Sequence, residues 1–147
     1  MVALACDHGG FSLMQEVKTF LQNENIAFKD FGTYSAESCD YPDFAIPAAN
    51  TVVSGECDKG IFICTMGIGM SIIANKVPGI RAALCTDNYM AEMSRRHNDA
   101  NVLCIGAHIT YINRSLEIIK VFLDTGFDGE RHLIRMNKVN AYDKSRK

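Results

Sequence analysis

Phe62-Ile63-Cys64-Thr65-Met66-Gly67-Ile68-Gly69-Met70-Ser71-Ile72-Ile73-Ala74-Asn75-Lys76 starts as an apolar run, passes a cysteine and two glycines, and goes on with helix-compatible residues. It predicts a strand over residues 60–65, a glycine turn, and a helix over 68–76 stopped by Val77-Pro78-Gly79. The same alternation extends to both sides. Upstream, Val2–Cys6 is an apolar run, and Phe11, Met14, Val17, Phe20 and Leu21 form a helical stripe over 10–23, closed by the polar turn Gln22-Asn23-Glu24-Asn25. Residues 27–31 read as a strand and 41–53 as a helix. Downstream, 81–85 is a strand, Asp87 can cap a helix running through Arg96, 102–105 is a short buried strand, and Asn113 can cap a helix over 114–123.

Five strands that are apolar throughout, joined by helices, imply a parallel sheet covered on both faces, because right-handed crossovers put the helices there. The expected fold is a doubly wound α/β sandwich in one domain spanning residues 1–147, a length that suits a single core. Residues 127–147 turn polar and basic, with Arg131, Arg135, Lys138, Lys144, Arg146 and Lys147, yet keep Leu133, Ile134, Met136, Val139 and Tyr142. That segment reads as an arm that packs on another surface. Hydrophobic residues at 48% and charged residues at 22% are ordinary globular values, and a net charge of −2 gives no reason to expect nucleic acid or an acidic membrane as partner. No apolar run approaches the roughly 20 residues of a membrane span, and no leader peptide is recognisable, so the chain reads as cytoplasmic. Six cysteines in a chain this rich in apolar residues read as reduced thiols, and neither they nor the four histidines show metal-ligand spacing.

Ligands of open parallel sheets sit outside the carboxyl ends of the strands. Those positions carry Cys6-Asp7-His8-Gly9-Gly10, Cys64-Thr65-Met66-Gly67-Ile68-Gly69, Cys85-Thr86-Asp87 and Gly106-Ala107-His108. Glycines allow close backbone approach, and the N–H groups from Ile68 to Ser71 at a helix start suit an anion or a developing oxyanion. The loop is no dinucleotide fingerprint, since Ile72 stands at the third glycine position, and no Walker lysine follows Gly69. NAD and ATP are disfavoured, and no cofactor is implied. Cys64 alone directly precedes the glycine loop, whose helix start would lower a thiol pKa from about 8.5 toward neutrality. The competing reading of each strand-end cysteine is a small buried hydrophobe.

Taken together, Cys6-Asp7-His8-Gly9-Gly10, Asp40-Tyr41-Pro42, Gly67-Ile68-Gly69 with Ala74-Asn75-Lys76, Gly79-Ile80-Arg81-Ala82, Ser94-Arg95-Arg96-His97-Asn98-Asp99-Ala100-Asn101, and Gly129-Glu130-Arg131-His132 with Arg135 resemble the ribose-5-phosphate isomerase B family. The wider group includes galactose-6-phosphate isomerase subunits. The resemblance covers nearly the whole chain and implies a Rossmann-like three-layer sandwich. It further implies a homodimer, or a dimer of dimers, with sites at the interface and the arm on a neighbouring protomer, and metal-free interconversion of aldose and ketose phosphates. By resemblance, Cys64 is the base moving the proton between C2 and C1, His97 assists ring opening, and Asp7 sits beside the ring oxygen and hydroxyls. Thr65, Met66, Gly67, Ile68, Gly69 and Ser71 match the anion hole for a cis-enediolate. His8, Arg131 and Arg135 match phosphate ligands, and Asn98 a further substrate contact.

Two positions depart from the family pattern. Cys64-Thr65-Met66-Gly67 stands where Cys-Gly-Thr-Gly is common, which displaces the hydroxyl by one position, and His108 stands where an arginine contacts phosphate. Alternatives to a ribose 5-phosphate isomerase are therefore an isomerase of allose- or galactose-type 6-phosphates, or a sugar-phosphate-binding module without catalysis.

Overall fold

Side chains alternate between the two faces of a strand, so a run apolar at every position needs a hydrophobic layer on each side. The computed structural model, which describes residues 1–145, has both layers. Strands β1 (Val2–Cys6), β2 (Phe28–Asp30), β3 (Lys59–Cys64), β4 (Ala82–Leu84) and β5 (Val102–Gly106) form one sheet in the order β2-β1-β3-β5-β4. Every neighbouring pair is parallel, and Cys6 beside Ile63 and Cys64 beside Gly106 bring β1, β3 and β5 to a common carboxyl edge.

Leu4, Cys6, Ile61, Ile63, Leu103 and Ile105 share one core with residues of helices α1 (Phe11–Asn23), α4 (Asn88–Asn98) and α5 (Ile112–Asp124). The alternate positions Ala3, Ala5, Phe62, Cys64, Val102 and Cys104 share the other with α2 (Pro42–Val53) and α3 (Ile68–Ala74). Burying each large aliphatic or aromatic side chain of these layers contributes about 1.5–3 kcal/mol. The fold is the expected Rossmann-like, three-layer α/β sandwich.

Several local boundaries differ from the sequence reading. Helix α5 begins at Ile112 with Tyr111 as its N-cap, so Asn113 lies inside the first turn and caps nothing. What fixes that helix start is buried: Thr110 and Ser115 pair their hydroxyls at 2.6 Å, and Ser115 N–H donates to Tyr111 O at 2.9 Å. Helix α3 ends at Ala74 rather than at residue 76. Asn75 instead pairs with β4, its Nδ2 donating to Ala82 O and its Oδ1 accepting Ala82 N–H, both at 2.9 Å. Strands β2 and β4, which close the two edges of the sheet, are three residues long. Asp87 caps α4 as expected, its Oδ1 accepting Met90 N–H at 2.7 Å.

The arm is a helix, α6 (Glu130–Ser145); Arg146 and Lys147 lie outside the described residues. It lies against α4, with Met136 buried. Gly79 N–H donates to Asp143 Oδ2 at 2.5 Å, and Arg81 Nη1 donates to Asn140 Oδ1 at 3.4 Å. Between α6 and the chain around β4 lies a cavity of about 420 Å³, with Ile80, Ala82 and Ala83 among its lining on one side and Met136, Val139 and Tyr142 on the other. Leu133, Ile134, Val139 and Tyr142 remain exposed. Among the described residues no helix is long and apolar enough to cross a membrane.

Candidate active site

The chain leaves β1 outward to β2 and then returns past β1 to β3, so the direction of winding reverses between β1 and β3. Helices on opposite faces diverge at such a point and open a crevice at the carboxyl edge. Asp7 and His8 follow β1, and Thr65, Met66 and Gly67 follow β3, while Ala107 and His108 follow β5. Backbone bonds lock these ends together: Asp7 N–H to Ile63 O (3.2 Å), Ala107 N–H to Cys64 O (2.9 Å) and His108 N–H to Thr65 O (3.0 Å). The buried Asp7 carboxylate accepts Gly10 N–H at 3.1 Å. A Cβ on residue 9 would stand 2.1 Å from Thr65 Oγ1, so only glycine lets the displaced hydroxyl lie against the β1 loop.

The structure separates the thiols of the sheet. Burial pushes Cys6 up to about 12 and Cys85 up to about 11, and it raises the wholly buried Cys104 well above its ordinary value. Those three are core. Cys64 is 5% exposed, and its Sγ receives a backbone hydrogen bond from Gly67 N–H at 3.1 Å. That bond depends on the turn, because Gly67 has φ 75, a left-handed conformation that a side chain disfavours. Beyond Gly67, the first amides of α3, from Ile68 onward, have no acceptor within their own helix. Ser71 Oγ donates to Ile68 O at 2.8 Å, so this hydroxyl closes the first turn, while Met66 and Ile68 are exposed at its rim. Tyr41 was given no role by sequence reasoning, although it lies in a motif that carried the resemblance. Its ring covers Gly69 so closely that a Cβ there would stand 2.8 Å from Cζ.

The remaining site residues lie elsewhere. Helix α4 runs back from the carboxyl edge, and its 11 residues extend about 16 Å at 1.5 Å per residue, so His97 and Asn98 sit near the amino edge where β5 starts. There they line a cavity of about 350 Å³ with Arg131, His132, Arg135 and Met136. The arm being helical, Arg131 and Arg135 do share a face, and Arg135 Nη1 donates to Arg131 O at 2.9 Å. The His97 and His132 rings stack with centroids 4.2 Å apart and planes inclined by 8°. Partial burial, with the positive charges of His97, Arg131 and Arg135, lowers the pKa of His132. One chain thus assembles Asp7, His8, Cys64, the glycine loop and His108 at one edge, and His97, Asn98, Arg131 and Arg135 near the other.

Among the described residues, His97, Asp128 and His132 bring three metal-ligating atoms within 4.8 Å of one another. The arrangement is a poor metal centre. Lone pairs of stacked imidazoles lie in parallel planes and do not converge, and Arg96 Nε already bonds both Asp128 oxygens at 3.1 Å. A cationic cavity of this kind suits a phosphate dianion better.

Fold and site together define a doubly wound α/β protein with a thiol, a carboxylate and a glycine turn at its switch point. The sequence matches the Ribose/Galactose Isomerase family over residues 2–139, and the chain belongs to that family. It is 40% identical to ribose-5-phosphate isomerase B of Escherichia coli, over 99% of this chain and 97% of that one. Its fold superposes on ribose-5-phosphate isomerase B of Clostridium thermocellum with a TM-score of 0.95 at 48% identity, covering 97% of each chain. It also superposes on the Mycoplasma genitalium ribose-5-phosphate isomerase B with bound ribulose-5-phosphate, with a TM-score of 0.93 at 35% identity, covering 99% of this chain and 97% of that one.

Proposed function

We propose that this chain is an aldose–ketose isomerase that interconverts ribose 5-phosphate and ribulose 5-phosphate by proton transfer at Cys64. The names and bound sugar phosphate of its relatives support the substrate. The observation that carries the chemistry is the Gly67 N–H held 3.1 Å from Cys64 Sγ at the sheet's switch point. The thiolate is the basic form of cysteine, and a backbone donor on sulfur is a contact its anion uses. In the open-chain aldose, Sγ removes the proton from C2, and the electron pair moves to form the C1–C2 double bond of a cis-enediolate. The carbonyl oxygen becomes an oxyanion against the free first-turn amides of α3. The hydroxyl proton passes from the C2 oxygen to the C1 oxyanion, Sγ returns its proton to C1, and the C2 oxygen becomes the carbonyl, which completes the ketose and restores the base.

Asp7 holds the sugar oxygens next to this centre. His8 and His108 contact the substrate from the same edge. His97, Asn98, Arg131 and Arg135 reach it from a second copy of the chain, His97 to open the ring and the two arginines to hold phosphate. Exposed Met66, Ile68 and Ile72 beside the Cys64 loop, and exposed Leu133, Val139 and Tyr142 on α6, are the apolar surfaces such a dimer would cover. An allose-type 6-phosphate is the second substrate to assay.

The test is isomerisation of ribose 5-phosphate by the purified protein without added metal, alongside Cys64→Ala. The variant is expected to lose at least about 100-fold in kcat, the scale of a removed general base, with an unchanged circular-dichroism spectrum. Wild-type turnover by the variant refutes Cys64 as the base.

A further inference from the structure

The loop between β2 and α2 sets the chemical state of His8. His8 is exposed at the end of β1, and its Nδ1 accepts the backbone N–H of Cys39 at 3.2 Å. A backbone amide can only donate, so Nδ1 has to present a lone pair, and the proton of the neutral ring then resides on Nε2. The Cys39 Sγ, 3.8 Å from the same nitrogen, adds a weaker contact that any thiol donor would make in the same sense.

The donor is held in place from both ends of its loop. Thr33, buried, gives its N–H to Cys6 O, and Gly32 N–H bonds Asp30 Oδ1 at 3.0 Å. At the other end Asp40 O accepts Asp43 N–H at 3.2 Å at the start of α2. An Nε2 that carries hydrogen can donate to an anionic oxygen and offers no lone pair to a metal.

We propose that the Cys39 backbone amide is a positioning group that fixes His8 in the Nε2–H tautomer, so that Nε2 donates a hydrogen bond to an oxygen of the bound sugar phosphate. The inference rests on the reading of His8 as a substrate ligand given above. Because the donor is main chain, the side chain at residue 39 is dispensable and the N–H is not.

Cys39→Ala and Cys39→Ser keep the amide, and Cys39→Pro removes it. The expected result is a KM for ribose 5-phosphate raised about tenfold in Cys39→Pro with kcat within about twofold, and a KM within about twofold of wild type in the other two, as for loss of one hydrogen bond to a charged ligand. Nitrogen-15 spectra of the histidine ring provide a readout that a general loosening of the loop would not produce: wild type and Cys39→Ala should show His8 protonated at Nε2 with an unprotonated Nδ1. An Nδ1–H tautomer in the wild type, or a wild-type KM in folded Cys39→Pro, overturns the proposal. If Cys39→Pro does not fold, the wild-type spectrum decides by itself. His8→Ala separates the two layers, since an unchanged KM there removes His8 from the substrate site, and with it the functional half of the proposal, whatever the tautomer.

Discussion

Three thiols stand at strand ends, those of Cys6, Cys64 and Cys85, and their surroundings differ. Cys6 shows the cost of the core role. Its folded pKa of about 12 lies above the ordinary value of 9.0 because burial penalises the thiolate. Above pH 9 the unfolded chain releases this proton and the native chain keeps it, so stability is fully present below pH 9 and is lost as pH rises toward about 12. Urea melts at about pH 8 and about pH 10.5 should show a decline that is shallower in Cys6→Ala, and an equal decline in both proteins contradicts the assignment. Cys64 was distinguishable in the sequence by its place before a glycine loop, yet the contact that sets it apart, the Gly67 N–H on sulfur, depends on a left-handed turn. The His8–Cys39 pair was not legible at all: 31 positions separate its members, and no periodicity links them.

Elements were legible where hydrophobic periodicity was strong. The runs of β1, β3 and β5 are apolar because both their faces are covered, and α4 begins where Asp87 caps it. Asp87→Ala should cost about 1 kcal/mol through the orphaned Met90 N–H, measured as a lower urea midpoint at unchanged slope; an unchanged midpoint would mean that tertiary packing alone holds the start of α4. Boundaries were less legible where a distant side chain decides them. Asn75 ends α3 by pairing with the backbone of β4, and a buried Thr110–Ser115 pair starts α5 ahead of Asn113. Neither partner is visible in a local window of sequence. The order β2-β1-β3-β5-β4 was likewise outside the sequence reading, since alternation implies parallel crossovers without saying where the winding reverses.

At the scale of the whole molecule, the direction of one helix governs the function. Because α4 runs from the carboxyl edge back toward the start of β5, a chain that carries both Cys64 and His97 holds them near opposite edges of its sheet. Arg131 and Arg135 side with His97, on a helix anchored through Gly79 and Arg81 of the same chain. The sequence reading already expected the arm with Arg131 and Arg135 on a neighbouring protomer, but that His97 and Asn98 side with the arm and not with Cys64 follows only from the fold. In the proposed dimer each site takes its base from one copy and its ring-opening and phosphate groups from the other. Mixing Cys64→Ala and His97→Ala subunits after unfolding and refolding tests this directly. Random pairing gives half heterodimers, each with one intact site, so about a quarter of wild-type activity should return from two nearly inactive proteins. A mixture no more active than its components would contradict a site shared between subunits.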